Sequence, residues 1–273
     1  MVNRIKECFD NLKLNNKPAF IPFITAGDPS IQDSLELINK LPKLGADIIE
    51  IGMPFSDPMA DGKIIQDSSL RALKNNIKIS DILSMVKEFR KDNTTTPIVL
   101  MGYYNPIYTY GTAKFIFDAN NSGVDGLIVV DLPSEHDDEL FTPCLNSGIN
   151  FIRLVAPTTT DKRLKKIVTN ANGFIYCISI AGITGTQEAS LNKVIKTIEN
   201  IRKFTELPIA VGFGIKTPEQ AKMMASKANA IVVGSVIVNK ILEVYTQNIE
   251  TKENLLNFVK SFADKVHSET TNL

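Results

Sequence analysis

The chain has 273 residues, and its 30 basic and 30 acidic side chains cancel. This length is ordinary for one α/β barrel, and we expect a single domain over residues 1–273. The balanced charge, without a cluster of Lys and Arg among aromatic residues, argues against binding to nucleic acid or to an anionic membrane surface.

Three scattered cysteines (Cys8, Cys144 and Cys177) form no CxxC pair. Their odd number and wide spacing are typical of reduced thiols rather than of a disulfide framework. The first residues lack a signal-peptide core, and no apolar run is long enough to span a membrane. We therefore expect a soluble cytoplasmic protein that binds small molecules or other proteins.

Helices and strands are predicted to alternate along the chain. Residues 1–14 carry an apolar stripe at Val2, Ile5, Phe9 and Leu12, which predicts a helix before the first strand. Eight apolar runs follow, with helical periodicity between them, and this order predicts parallel strands joined by right-handed crossovers. The predicted strands are residues 19–25, 48–52, 97–101, 126–130, 149–155, 174–178, 208–212 and 230–233.

Eight such units can close into a barrel or lie open as a doubly wound sheet. Three features favour closure: the count of eight, the absence of GxGxxG after the first strand, and glycine-rich turns after the last three strands. We predict an α/β fold, a (β/α)8 TIM barrel with an extra N-terminal helix. A last helix is predicted around Leu255–Val266, and residues 267–273 are expected to form a disordered tail.

A carboxylate lies inside the second predicted strand, where Glu50 is flanked by isoleucines. A lone Glu in a strand is often a salt-bridged residue, but the isoleucines predict a strand that is buried on both faces. Burial of a carboxylate costs several kcal/mol or makes the group take up a proton, so a functional role is favoured for Glu50. In the loop that follows, Asp57 and Asp61 are equally compatible with turn formation.

Elimination leaves acid-base chemistry by carboxylates. His136 and His267 show no HxH or HExxH spacing, which argues against a histidine metal site. No predicted strand holds a lysine for a Schiff base, and His136 lies in an acidic stretch rather than beside a serine nucleophile. A buried Glu with a raised pKa can donate and accept a proton, while a better-solvated Asp stays charged and stabilises a cation.

Glycine-rich turns form a second candidate site. GITG at residues 182–185 follows strand six, GFGI at 212–215 follows strand seven, and Gly234–Ser235 opens a helix after strand eight. Glycines let backbone N–H groups approach an anion, and a helix N-terminus adds unpaired donors. Each turn alone can be a simple βα turn, but together they predict a phosphate site.

The string GADIIEIGMPFSDPMADG, with PFITAGDP before it and GITG, GFGI and VGS after it, resembles the tryptophan synthase alpha chain family over essentially the whole chain. The resemblance implies a lyase of tryptophan biosynthesis that cleaves indole-3-glycerol phosphate to indole and glyceraldehyde 3-phosphate, without a metal or organic cofactor. It also implies a pyridoxal-phosphate beta chain as partner, which takes the indole through a tunnel, in an alpha2-beta2 heterotetramer.

The resemblance assigns roles by position. Glu50 matches the glutamate that protonates indole C3 and takes the proton of the side-chain hydroxyl. Asp61 matches the aspartate that binds the indole N–H, and Tyr176 matches a tyrosine that helps to place the glutamate. Thr184 is expected to bond Asp61 when their loops close. The other matches are the phosphate site (Gly185, Gly214, Gly234 and Ser235), the indole pocket (Phe23, Met101, Ile128, Leu154, Phe213 and Val232) and the partner contacts (Pro54, Asp57, Asn105, Asp131 and Pro133).

Alternatives stay open at this point. For the six indole-pocket residues, plain barrel core is a strong alternative, because each lies on or beside a strand. A stand-alone indole-releasing lyase or another phosphosugar barrel enzyme is the second function, and a silent regulatory subunit is a third, which Glu50 and Asp61 together disfavour. Lys63 stands where the family often has proline, and Ile180 stands where some members have arginine; both departures bear on loop closure.

Overall fold

A ring of parallel strands forms the centre of the computed structural model, which describes residues 3–178, 187–212 and 214–269. The strands within these ranges are β1 (Ala19–Thr25), β2 (Ile49–Gly52), β3 (Ile98–Gly102), β4 (Gly126–Val129), β5 (Asn150–Phe151), β6 (Arg153–Val155), β7 (Ile175–Ile178), β8 (Ile209–Gly212) and β9 (Ala230–Val233). Their order in the sheet is β5-β4-β3-β2-β1-β9-β8-β7-β6.

The two edge strands of this order, β5 and β6, are parts of one predicted strand, residues 149–155. They are interrupted at Ile152, whose N–H donates to the carbonyl of Leu127 at 2.9 Å. β5 pairs with β4, whereas β6 pairs with β7, so the chain changes its hydrogen-bonding neighbour at the interruption. The ring thus has eight strand positions, and the predicted (β/α)8 TIM barrel is confirmed.

Helices surround the strands. Those in the described ranges are α1 (Arg4–Leu14), α2 (Ile31–Lys40), α3 (Lys63–Lys74), α4 (Ile79–Asp92), α5 (Tyr104–Tyr110), α6 (Thr112–Ser122), α7 (Asp138–Ser147), α8 (Asp161–Thr169), α9 (Gln187–Ile201), α10 (Pro218–Ala225), α11 (Ser235–Tyr245) and α12 (Lys252–His267), with a short 3-10 helix at Leu41–Leu44. Within the described part of the chain, no helix is both long and apolar enough to cross a membrane.

The extra N-terminal helix closes one end of the barrel. Ile5 and Phe9 of α1 are buried in the cluster that fills the barrel interior, and the rings of Phe9 and Phe174 lie 5.8 Å apart. Phe174 immediately precedes β7, so α1 covers the end at which the strands begin. The opposite end, where the strands finish, is left for a ligand site.

Strand alternation carries the one charged residue of β2 into the barrel. Ile49 and Ile51 pack in the layer between strands and helices, whereas Glu50 lies in register with Phe23 and Val99 of the interior cluster. Both faces of β2 are therefore buried, as the flanking isoleucines predicted.

The C-terminal helix extends further than the sequence pattern. Position 267, assigned to a disordered tail, is the last residue of α12, and Nε2 of His267 lies 2.8 Å from Oδ2 of Asp47. Asp47 also accepts the N–H of Phe20 at 2.7 Å, so this contact joins α12 to β1. Glu269 forms an ion pair with Lys222 at 3.4 Å. Residues 270–273 lie outside the described residues.

Candidate active site

A cavity of about 620 Å³ opens at the carboxyl end of the strands. Two carboxyl side chains, Glu50 and Asp61, line it. The starts of two glycine-containing segments, at Gly214 and Gly234, line the same cavity. The structure therefore places both candidate groups, the carboxylates and the phosphate-type turns, around one space.

Glu50 is 1 % exposed, and neither of its carboxyl oxygens has a hydrogen-bond partner among the described residues. Burial, with a smaller contribution from the charge of Asp61, raises the pKa of Glu50 to about 8. The carboxyl group is thus protonated at neutral pH and sits in a cavity wall without a structural partner. An unpaired buried polar group is destabilising, which is typical of a functional residue.

Asp61 ends the loop that connects β2 to α3. Its N–H donates to the carbonyl of Pro58 at 3.2 Å, and its own carbonyl accepts from Nε2 of Gln66 at 2.8 Å. Its carboxylate accepts the hydroxyl of Tyr103 at 3.1 Å. Burial raises the pKa of Asp61, and the hydrogen bond from Tyr103 opposes that rise. The backbone of Asp61 is therefore held on both sides.

Tyr103 is a site residue that the sequence analysis missed. Its hydroxyl donates to the carboxylate of Asp61 and accepts the N–H of Ala60 at 3.0 Å. Its ring packs against the ring of Phe55, with 5.2 Å between the centroids. The segment around it was treated only as a partner contact. Its position directly after Gly102, the last residue of β3, was an available signal, since barrel enzymes carry site residues at strand ends.

Tyr176 lies on β7, is buried and lines the same cavity. Burial and the nearby charge of Glu50 raise its pKa well above the ordinary value. The close neighbour of its hydroxyl is Gly212 on β8: a Cβ at that position would lie 2.1 Å from the hydroxyl oxygen. Glycine at 212 is thus required for the tyrosine hydroxyl to reach into the barrel.

The turn and helix N-terminus at the far side of the cavity have the features of an anion site. Gly214 has φ of +93°, and Gly234 is the N-cap of α11. The first N–H groups of a helix have no intrahelical partners, and they give its N-terminus a partial positive charge. Gly214, Gly234 and Ser235 all line the cavity. Gly185 and Thr184 lie outside the described residues.

The predicted indole-pocket residues separate into groups. Phe23, Met101 and Val232 line the cavity, whereas Ile128 and Leu154 are not part of the cavity wall. Phe213 lies outside the described residues. The sequence analysis did not name the other apolar residues of the wall, which are Ala60, Ile64, Ile65, Val130, Ile178 and Ile215.

The predicted partner contacts differ in exposure. Asp57, Asn105, Asp131 and Pro133 are exposed, whereas Pro54 is buried within the chain. Asp131 accepts the N–H of Tyr104 at 2.8 Å, which joins the loop after β4 to α5. This hydrogen bond directly connects two of the predicted contact segments, the one at Asp131 and the one that contains Asn105. Within the described residues, no group of three or more His, Cys, Asp and Glu side chains is arranged to hold a metal ion.

Comparison with known proteins gives one family. A family model described as tryptophan synthase alpha chain matches residues 9–267. The chain is similar to the crystal structure of tryptophan synthase subunit alpha from Legionella pneumophila str. Paris, with 38% identity, a TM-score of 0.91, and coverage of 98% of this chain and 100% of that chain. A structure from Aquifex aeolicus VF5 gives 36% identity, a TM-score of 0.87, and coverage of 97% and 99%. The aminoacrylate-bound tryptophan synthase from M. tuberculosis gives 28% identity, a TM-score of 0.86, and coverage of 97% and 100%.

Proposed function

The chain belongs to the tryptophan synthase alpha chain family, and we propose that Glu50 and Asp61 perform the chemistry of that family in the cavity described above. The enzyme is a lyase that cleaves indole-3-glycerol phosphate to indole and glyceraldehyde 3-phosphate. The main support for Glu50 and Asp61 as catalytic residues is the buried carboxyl group of Glu50, which has no hydrogen-bond partner among the described residues. It lines one cavity with Asp61 and the start of α11.

The first step is protonation of the indole ring. With a pKa of about 8, Glu50 holds a proton at neutral pH and gives it to indole C3, which forms a new C–H bond at the expense of the ring double bond. Positive charge then develops on the ring nitrogen. The carboxylate of Asp61 accepts the N–H of this indolenine cation and stabilises it, which is the electrostatic part of the catalysis.

The second step breaks the carbon–carbon bond. The carboxylate left on Glu50 takes the proton of the hydroxyl on the carbon attached to C3. The O–H electrons form the aldehyde C=O, and the electrons of the broken C–C bond restore the aromatic ring. Glu50 ends in its protonated form, so indole and glyceraldehyde 3-phosphate leave without consumption of any other reactant. Tyr176 lines the same cavity, near enough for the charge of Glu50 to raise its pKa, and we assign it the role of positioning Glu50.

The direct test is incubation of the purified chain with indole-3-glycerol phosphate, alone and with a beta chain, while indole release is followed. Slow release alone and faster release with the beta chain are expected. Equal release in both cases would favour a stand-alone lyase, and no release in either case would contradict the proposal.

The phosphate of the substrate is placed at Gly214, Gly234 and Ser235. Gly234→Asp adds a negative charge and a side chain at the start of α11, so we expect weaker binding of glycerol 3-phosphate, by roughly tenfold or more. Isothermal titration of the folded variant measures this. Asn11→Asp is the control, because it adds the same charge at an exposed position on α1, at the opposite end of the barrel. An unchanged dissociation constant for Gly234→Asp would place the phosphate elsewhere.

Tyr103 positions Asp61, and its loss is expected to slow turnover roughly tenfold, since a hydrogen bond to a charged group contributes about 1.5–3 kcal/mol. Tyr103→Phe removes the bond that opposes the rise of the Asp61 pKa, so the acid limb of the kcat/KM profile should move to higher pH. Tyr108→Phe, at an exposed position on α5, is the control. An unmoved acid limb would show that Tyr103 has only a packing role.

The family works with a beta subunit. We propose that the partner of this chain is a pyridoxal-phosphate beta chain and that the two form an alpha2-beta2 heterotetramer. The exposed Asp57, Asn105, Asp131 and Pro133 would meet it. Because Asp57 and Asp61 share one loop, binding of the partner at Asp57 can order the carboxylate of Asp61. In the closed state Thr184 would hydrogen-bond to Asp61. The three dispersed thiols, unpaired in the structure, support a cytoplasmic location for this assembly.

A further inference from the structure

Two lysines, Lys63 and Lys216, belong to the cavity wall, and their environments differ. The ammonium of Lys63 lies 2.9 and 3.1 Å from the two carboxylate oxygens of Asp67, one turn further along α3. Lys216 is exposed, and its ammonium has neither an ion pair nor a hydrogen bond to any other described residue. Of these two lysines, only Lys216 has no ion-pair partner among the described residues.

The backbone at Lys216 is held by hydrogen bonds, whereas its side chain is exposed. Its N–H donates to Oε1 of Gln220 at 2.8 Å, and the hydroxyl of Thr217 caps α10 by accepting the N–H of Gln220 at 3.2 Å. Lys216 is two residues beyond Gly214 and lines the same cavity as Gly234 and Ser235. A tethered backbone thus presents a flexible cation at the phosphate end of the cavity.

We propose that the ammonium of Lys216 binds the phosphate of the substrate, together with the backbone donors of Gly214 and the N-terminus of α11. This inference rests on the phosphate position in the proposed function. A helix N-terminus offers only about half a positive charge, whereas the phosphate brings more than one negative charge into a cavity that also holds Asp61. A lysine is a compact point charge well suited to compensate this excess.

The consequence is a binding step that depends on salt. Because Lys216 is exposed, mobile ions screen its attraction for the phosphate, and affinity should fall as ionic strength rises. The chemical step is unaffected, since Lys216 touches neither the indole ring nor the carbon–carbon bond that breaks. Lys216 therefore acts on KM and not on kcat.

The test compares Lys216→Ala, Lys216→Arg and wild type, with Lys227→Ala as a control. Lys227 is exposed and precedes β9, so its removal changes the net charge equally but at the opposite end of the barrel. At low salt, Lys216→Ala should raise the dissociation constant of glycerol 3-phosphate and the KM for indole-3-glycerol phosphate roughly three- to tenfold at constant kcat. The arginine and Lys227 variants should stay close to wild type.

A salt series supplies a second measurement. The affinity of wild type for glycerol 3-phosphate should fall with added NaCl more steeply than that of Lys216→Ala. Equal affinity, KM and salt slope in the two proteins would overturn the proposal. If wild type binds glycerol 3-phosphate but releases no indole with or without a beta chain, the cleavage assignment fails, while the comparison of salt slopes still decides the role of Lys216.

Discussion

Glu50→Gln is expected to abolish cleavage while the fold and the phosphate affinity remain nearly intact. Glutamine has the shape of the protonated glutamic acid but can neither give a proton to indole C3 nor take one from the hydroxyl. General acid-base groups contribute about 10²–10⁴ in rate, so kcat should fall by at least that factor. Indole release gives kcat, and titration with glycerol 3-phosphate checks the binding site. Near-normal turnover would make Glu50 a structural residue.

The same substitution should stabilise the protein, and the gain should grow with pH. In the unfolded chain Glu50 ionises above its ordinary pKa of 4.5, whereas in the fold it keeps its proton up to about 8. The free energy of unfolding of wild type is therefore unaffected by ionisation of Glu50 below pH 4.5. It decreases as pH rises towards 8, by on the order of 5 kcal/mol at most. Glutamine has no proton to lose, so its advantage over glutamate increases across this window.

Urea unfolding at about pH 5 and about pH 8 measures this difference. The free energy of unfolding of Glu50→Gln should exceed that of wild type by more at the higher pH. Glu206→Gln, at an exposed position outside the helices and strands, is the control for the removal of one carboxylate. The same increment at both pH values would contradict a strongly raised pKa for Glu50.

The barrel and its principal carboxylate follow from the sequence because both depend on local patterns. Parallel strands that are covered by helices on one side and by the barrel interior on the other appear as continuous apolar runs. A charged residue inside such a run, as at Glu50, can only point into the interior or the helix layer. That is why its burial was predictable without coordinates.

Features that depend on tertiary contacts were not predictable in this way. The interruption at Ile152 arises because one strand must pair with β4 and then with β7, and no residue type marks that change. His267 is held in α12 by Asp47, a partner 220 positions earlier. The role of Tyr103 depends on a hydroxyl that reaches a different loop, which neither apolar periodicity nor spacing reports.

In the cavity wall, too, some residues were predictable from the local sequence pattern and others depend on tertiary contacts. Strand alternation identifies which side chains point into the barrel, but it does not distinguish the middle of the interior from the open end. Phe23, Met101 and Ile128 all belong to the interior cluster and Leu154 packs against it, but of these four only Phe23 and Met101 also line the cavity. The apolar residues contributed by α3, such as Ile65, could not be assigned because the path of the preceding loop is set by contacts with Tyr103.

Asp61→Asn is expected to reduce turnover about 10²–10³-fold, because the charge that stabilises the indolenine cation is removed while the side-chain shape is kept. The asparagine oxygen can still accept the hydroxyl of Tyr103, so the loop should remain in place. Asp92→Asn, at the exposed end of α4 that precedes β3, removes one charge at the opposite end of the barrel and serves as the control. Turnover close to wild type would show that Asp61 does not face the developing positive charge.

The pH profile of Asp61→Asn distinguishes loss of this charge from a general disturbance of the site. Burial is the main cause of the raised Glu50 pKa, and the charge of Asp61 is the second. Without that charge the ionised form of Glu50 is less disfavoured, so its pKa should fall below the wild-type value of about 8. Because the first step needs protonated Glu50, the alkaline limb of kcat/KM should move to lower pH in Asp61→Asn. An alkaline limb at the wild-type position would mean that the two carboxyl groups do not interact.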